Sequence, residues 1–304
     1  MQMRALLPYG MADFERRGFR TDRPEARAVL EGRARSFLDG FNLALSRWGD
    51  VHAALATVPE ENRGFAYEGA GMYAAYRDVT ARGRDTALRR LLDGPGQGYV
   101  HLIHVGAGWG LSPARLPAPF RLPGTPLLRW LALDGAGFGE VFFGGTRALE
   151  RRARRAPTPR GAARLAGCGR ALWFAESADV TGVTRVIGRQ PVAARAELWS
   201  GIGLASAYAG ATTETGLEAL VTAAGPAAPA YAQGVVFGAT ARFRSGVVPD
   251  HTVLACRVVL GTDPGTASSW ADDTAADLEH SPDIAAYQEW RTRLRGITAA
   301  RHAA

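Results

Sequence analysis

Glu68, His101 and His104 are residues whose types and spacing could do chemistry. His101 and His104 stand three apart, so on a helix they share a face. Glu68 lies in a stretch of Ala and Gly, an awkward place for a charge that has neither a partner nor a task. Imidazoles titrate near neutrality and burial tunes a carboxyl towards it, so the three could form a proton-transfer set. Two His and one carboxylate could also hold a metal, but no third strong ligand stands at helical spacing. The bland alternative is structural: Glu68 paired with a buried Arg, His101 facing solvent at a helix start, His104 bonded to a core carbonyl. Asp134 and Glu140, within LALDGAGFGE, are further carboxylates, and Asp134 joins the catalytic candidates. Gly135 and Gly137 beside it fit a helix that ends in a turn. No metal site is assigned and no cofactor is expected.

The elements that must position these residues read as helices. Residues 25–46 carry Val29, Leu30, Ala34, Phe37, Leu38, Phe41 and Leu45 on one stripe at three-to-four spacing. Helices are predicted over 51–58, 62–80 and 85–92, and again over 193–211, 213–223, 230–243 and 284–295. Residues 99–116 are ambiguous between strand and helix. Gly69, Gly71 and Ala75 in one segment, and Gly201, Gly203, Ala205, Ala207 and Ala209 in another, form seams of small residues. Glycine inside a helix costs about 1 kcal/mol against Ala. Close approach of another backbone offsets such a cost, and the expected partner is the equivalent helix of the other half.

Two halves are expected because the sequence matches itself at an offset of 132. Pro59, Arg63, Gly69, Gly71, Ala75, Tyr76, Thr80, Ala87, Leu88, Tyr99, Gly106 and Ala107 fall on Pro191, Arg195, Gly201, Gly203, Ala207, Tyr208, Thr212, Ala219, Leu220, Tyr231, Gly238 and Ala239. Chance gives about 4 such identities in a chain this rich in Ala, Arg and Gly. The repeat acts as an internal control. Matched residues, such as Arg63 with Arg195, read as structural. Mismatches single out chemistry: Glu68 faces Ser200, Tyr73 faces Ala205, His101 faces Gln233, His104 faces Val236 and Trp109 faces Ala241. The expected architecture is mainly α: an arm over 1–25, a helical repeat over 26–112, a connector over 113–154, a second repeat over 155–245 related by a pseudo-twofold axis, and a helical cap over 246–304.

Other readings are excluded. HVGAGWG at 104–110 resembles a dinucleotide-binding turn, but Leu111 stands where the third glycine belongs and Trp109 would crowd the pyrophosphate. Ser200 in WSGIG lacks the first glycine of a nucleophile elbow. All 36 basic residues are Arg, so no Schiff-base or phosphate-loop Lys is available. The net charge of +7 reads as composition rather than nucleic-acid binding, and the Arg147–Arg160 run as a solvated linker without interleaved aromatics. Cys168 and Cys256 stand far apart, which argues against a disulfide framework or a zinc site. No apolar stretch reaches the length of a membrane span, and a cytoplasmic location is expected.

The strings RGFAYEGAGM (63–72), HVGAGWG (104–110), LLRWLALDGAGF (127–138), RALWF (170–174) and AELWSGIGLASAYAG (196–210) resemble the domain of unknown function 1702 family, over nearly the whole chain. The resemblance implies specialised-metabolite biosynthesis in actinobacteria, of enediyne polyketide or terpenoid type, on a hydrophobic intermediate. It carries no catalytic assignment. A cofactor-independent cyclase or isomerase is expected, with a non-catalytic carrier of the intermediate as the alternative. Tyr67, Tyr73, Trp109, Trp130, Phe138 and Trp199 are the candidates for the substrate-binding wall. Homodimerisation is left open.

Overall fold

The computed structural model describes residues 6–80, 86–111, 122–155 and 158–302, and among them the fold is mainly α with no strand. Nine helices organise it: α1 Pro24–Ser46, α2 Arg63–Thr80, α3 Val100–Leu111, α4 Leu131–Ala153, α5 Pro159–Ala175, α6 Val192–Tyr208, α7 Ala228–Arg244, α8 Pro264–Ala275 and α9 Ile284–His302. Their starts are written in the sequence. Pro24 and Pro159 occupy first-turn positions where no amide hydrogen is needed. Thr158 caps α5 by accepting from the Gly161 amide at 3.0 Å, and Asp263 caps α8 by accepting from that of Thr266 at 3.0 Å. Each helix from α1 to α8 packs against the next, so the chain lays down one row, and α9 folds back onto α7 and α8.

Glycine explains how the row can be so tight. Residues two apart on a helix point about 200° apart, to opposite flanks. Gly-x-Gly recurs on every helix from α2 to α6, and the pairs 69/71, 106/108, 135/137, 167/169 and 201/203 sit at the seams. Each glycine faces a backbone carbonyl of one neighbour, and each seam is reciprocal. Gly40 meets the Ala66 carbonyl while Gly69 meets that of Phe37, and Gly71 meets that of Ile103 while Gly106 meets that of Glu68. The pattern continues through Gly108 with Gly135, Gly137 with Gly167, Gly169 with Gly201, and Gly203 with Gly234. A side-chain methyl at any of them would overlap the facing oxygen. This corrects the expected role of the small-residue seams. They join each helix to its neighbours in the row, not α2 to its counterpart α6.

Local structure repeats with the sequence. Arg63 donates to the carbonyls of Ala56 and Val58 at 3.2 and 3.4 Å, and Arg195 to those of Gly188 and Gln190 at 2.9 Å each. Those acceptors are themselves 132 apart. The Gly40–Gly69 and Gly169–Gly201 seams meet equivalent carbonyls too. Three segments differ from expectation. The ambiguous stretch after Tyr99 is helix α3, so HVGAGWG is a packing motif on a helix. Asp134 and its glycines lie in the first turns of α4 rather than at a helix end, and α4 is a full member of the row. Arg147 to Arg155 ride the end of α4, with Arg152 paired to Glu140, so they are not a free linker; Pro157 lies outside the described residues.

Candidate active site

Five consecutive helices, α1 to α5, surround an apolar pocket of about 560 Å³, counted out to its mouth. Phe37, Phe65, Trp109, Phe138, Phe142 and Phe174 supply its aromatic wall, and Glu68, Arg33 and Arg170 border it. Trp109 is the centre of that wall, with ring centroids 4.5 Å from Phe37 and 4.7 Å from Phe138. Its indole Nε1 donates to Glu68 Oε1 at 2.9 Å. Phe143, half-exposed, completes the cluster at 5.8 Å, just before the point where α4 kinks at Gly145. Gly145 sits at φ 62°, a conformation that a residue with a Cβ rarely adopts.

The N-terminal arm closes the pocket. Leu7, Met11 and Ala12 line it. Asn42 on α1 grips the arm twice, accepting from the Leu7 amide at 2.8 Å and donating to its carbonyl at 3.1 Å. Tyr9 donates to Asp39 at 2.6 Å. Inside that arm the interior has room for about three water molecules.

Beneath the aromatic wall lies a charge cluster drawn from three helices. One terminal nitrogen of Arg170 stands 2.7 Å from Asp134 Oδ1 and 3.7 Å from Glu68 Oε1. All three side chains are buried. Burial raises the pKa of both carboxyls, and Arg170 only partly opposes it. Burial works against the Arg170 charge, yet the two carboxylates together hold its pKa above the ordinary value. Two carboxyls on one guanidinium favour a state with one proton on the pair. Glu68, the more distant from Arg170, is the better place for that proton, and it is the carboxyl that borders the aromatic pocket.

A second cavity, about 510 Å³ counted to its mouth, lies among α3 to α7 and α9. His101, Asp134, Arg170, Tyr208, Thr240 and Trp290 are its polar and aromatic lining. His101 is partly buried, and burial with the nearby Arg244 charge depresses its pKa to about 3, so its ring is neutral at physiological pH. Burial pushes the Tyr208 hydroxyl up to about 12.

The predicted set is thus only partly brought together. Glu68 and Asp134 share Arg170, with Glu68 on the aromatic pocket and Asp134 and His101 on the second cavity. His104 lies apart, in a narrow cleft with Leu88, Leu92 and Pro123, where its Nδ1 faces the Val100 carbonyl at 2.8 Å and its Nε2 that of Pro123 at 3.0 Å. The Nδ1 contact stays within α3, and the Nε2 contact links the helix to Pro123. Glu140 accepts from Arg152 and Arg164 in its own ion cluster.

Of the predicted wall, Trp109 and Phe138 line the aromatic pocket. Tyr67 instead stacks on Tyr99 at 4.2 Å, Tyr73 packs edge-on to Phe41 at 5.5 Å, Trp199 packs edge-on to Tyr231 at 6.1 Å, and Trp130 lies under Arg160. Sequence reasoning passed over Arg170. Its signal is the one that marked Glu68: a charge inside an apolar, glycine-flanked helix, here GCGRALWF.

These features define an all-helical protein with a buried carboxylate–guanidinium centre beneath an aromatic pocket. The chain belongs to the family described as a protein of unknown function, DUF1702, which matches residues 4–297. No curated protein and no solved structure matches it. Among the described residues no group of His, Cys, Asp and Glu is placed to hold a metal ion, and no helix is long and apolar enough to cross a membrane.

Proposed function

We propose that the chain is a biosynthetic enzyme for a hydrophobic, unsaturated intermediate, of the polyketide or terpenoid type that the family resemblance implies, and that it works as a cofactor-independent cyclase or isomerase. The observation that carries this reading is a buried carboxyl facing an aromatic pocket, with its proton favoured by a second carboxyl on the same guanidinium. Glu68 gives its proton to a carbon–carbon double bond. The electron pair of that bond forms the new C–H bond and leaves a cation on the neighbouring carbon. Faces of Trp109, Phe37 and Phe138 stabilise the cation by their quadrupoles, and the apolar wall keeps water from it. A second double bond of the same chain attacks, closing a ring. Loss of a proton back to the Glu68 carboxylate restores the enzyme, so substrate and product are isomers.

The arm held by Asn42 also suits a carrier that retains its cargo. One experiment separates the two readings: incubation of purified protein with the intermediate that accumulates when its gene is deleted, followed by mass and retention analysis. The enzyme reading expects an isomer of equal mass, and a loss of about 100-fold or more in rate for Glu68→Gln. Return of the unchanged molecule from a tight complex would favour the carrier, and full activity of Glu68→Gln would sink the acid.

A further inference from the structure

The second cavity is left unused by the reaction above, yet it gathers an unusual set of groups. His101 Nδ1, Arg170 Nε and the Tyr208 hydroxyl are buried without a hydrogen-bond partner among the protein atoms, while Asp134 Oδ1 and a terminal nitrogen of Arg170 face each other at 2.7 Å. They come from four different helices and border the same space. A buried polar group left unsatisfied is costly, so three beside a buried ion pair call for an occupant. Apart from Thr240, the rest of the wall is apolar, including Leu102, Val105, Leu131 and Phe237.

The chemistry of the set selects that occupant. Arg170 can only donate, Asp134 as a carboxylate only accepts, and Tyr208 and the neutral His101 ring can do either. An anion would meet Asp134 and a cation would meet Arg170. A small neutral molecule that both donates and accepts satisfies all four. The interior has room for about two or three water molecules.

We propose that this cavity is a water-binding site that exchanges a proton with Asp134 and so keeps the buried charge cluster balanced when Glu68 gives its proton away. Loss of the Glu68 proton leaves two carboxylates on one guanidinium. A water bonded to Asp134 Oδ1 then hands over a proton: one O–H bond forms on the carboxylate as one breaks on the water, which is refilled from its neighbour and finally from solvent. Return of the proton to Glu68 reverses the sequence. The use of this exchange in catalysis rests on the function proposed above; the waters and the exchange do not, and both are measured without substrate.

Two measurements test it. A crystal structure at atomic resolution is expected to show two or three ordered waters bonded to His101, Asp134, Arg170 and Tyr208, with the water nearest the hydroxyl lost in Tyr208→Phe. A dry cavity, or density for an organic molecule, would overturn the proposal. Infrared spectroscopy follows the buried protonated carboxyl, assigned with Glu68→Gln and Asp134→Asn, after transfer to heavy water. Ala241→Leu fills the cavity, and its carboxyl proton is expected to exchange about ten-fold more slowly than in the parent protein. If Ala241→Leu does not fold, Tyr208→Phe serves with the same direction of change. Exchange at the parent rate in the folded variant counts against the site whatever the fate of the proposed reaction.

Discussion

Arg63 and Arg195 stand 132 residues apart and make the same two bonds; Glu68 and Ser200 stand at the same offset and live in different worlds. Glu68 accepts from Trp109, shares Arg170 with Asp134 and borders a pocket that the N-terminal arm helps to line. Ser200 donates to Gln233 at 3.0 Å and accepts from Arg291 of α9 at 3.3 Å. Phe65 of the first pocket corresponds to Glu197, which binds Arg291 and Arg295, both from α9. Trp290, next along α9, packs on Phe237 at 4.6 Å. In the second half the chain covers this face with its own helix, which supplies both guanidinium and aromatic ring. In the first half the corresponding face is aromatic, carries an acid and lies under the N-terminal arm. The same local bonds recur in both halves, but the two faces they carry are covered differently.

The sharpest way to break this comparison is to attack the shared scaffold. Gly69 and Gly201 occupy equivalent seams against equivalent carbonyls, so Gly69→Leu and Gly201→Leu should hurt alike. Each forces two backbones apart along a whole seam, and a cost above about 4 kcal/mol is expected, enough to abolish soluble protein in a marginal fold. Soluble yield and denaturant midpoints measure it. Ready tolerance of one substitution and collapse with the other would mean that the two halves are not built by the same rule.

How much of this was legible beforehand follows from what a single sequence can encode. Helices were readable because apolar stripes, Pro starts and glycine stops are local. The repeat was readable because the bonds of Arg63 and Arg195 are also local, reaching back only one turn of chain. The cost of glycine in a helix signals close packing, and the i, i+2 spacing points to two flanks, hence two neighbours, which a single seam partner does not satisfy. Glu68 stood out as a charge among small residues. Arg170 did not, because one Arg among 36 carries little information until its helix is known to be buried. Tyr208 matches Tyr76, which reads as structural, yet Tyr208 is buried and borders the second cavity while Tyr76 is only partly buried. Which aromatics face a pocket depends on how distant helices pack, a long-range property, so sequence alone does not tell Tyr67, Tyr73, Trp130 and Trp199 from Trp109.

A second comparison sets one buried guanidinium against another. Arg170→Met leaves Glu68 and Asp134 buried with no cation, and a loss of about 3–5 kcal/mol is expected near neutral pH, shrinking in acid as both carboxyls take up protons. Arg291→Met leaves Glu197 still held by Arg295, at 3.0 and 3.2 Å, so the expected cost is smaller, about 1–2 kcal/mol. Urea unfolding of both variants at pH 5 and pH 8 gives the four numbers. Equal losses with equal pH dependence would erase the distinction between a charge cluster poised to lose a proton and one locked by α9.

The smallest effect, and the most telling in sign, belongs to Glu68→Gln. Burial raises the folded-state pKa of Glu68 above its unfolded value, so the folded protein holds this proton more firmly than the unfolded chain. The stabilisation is complete below the unfolded value of about 4.3 and is lost as pH rises through the folded pKa. Gln cannot ionise and still accepts from the Trp109 indole through its amide oxygen. The variant should therefore match the parent in acid and gain on it with rising pH, by about 1.4 kcal/mol for each unit of upward shift, before levelling off. Ser200→Ala in the same series has no titrating group at the equivalent position, so its difference from the parent should stay flat. Parallel curves for Glu68→Gln and the parent at every pH would mean that Glu68 carries no shifted proton, and the first half would lose the chemical feature that separates it from the second.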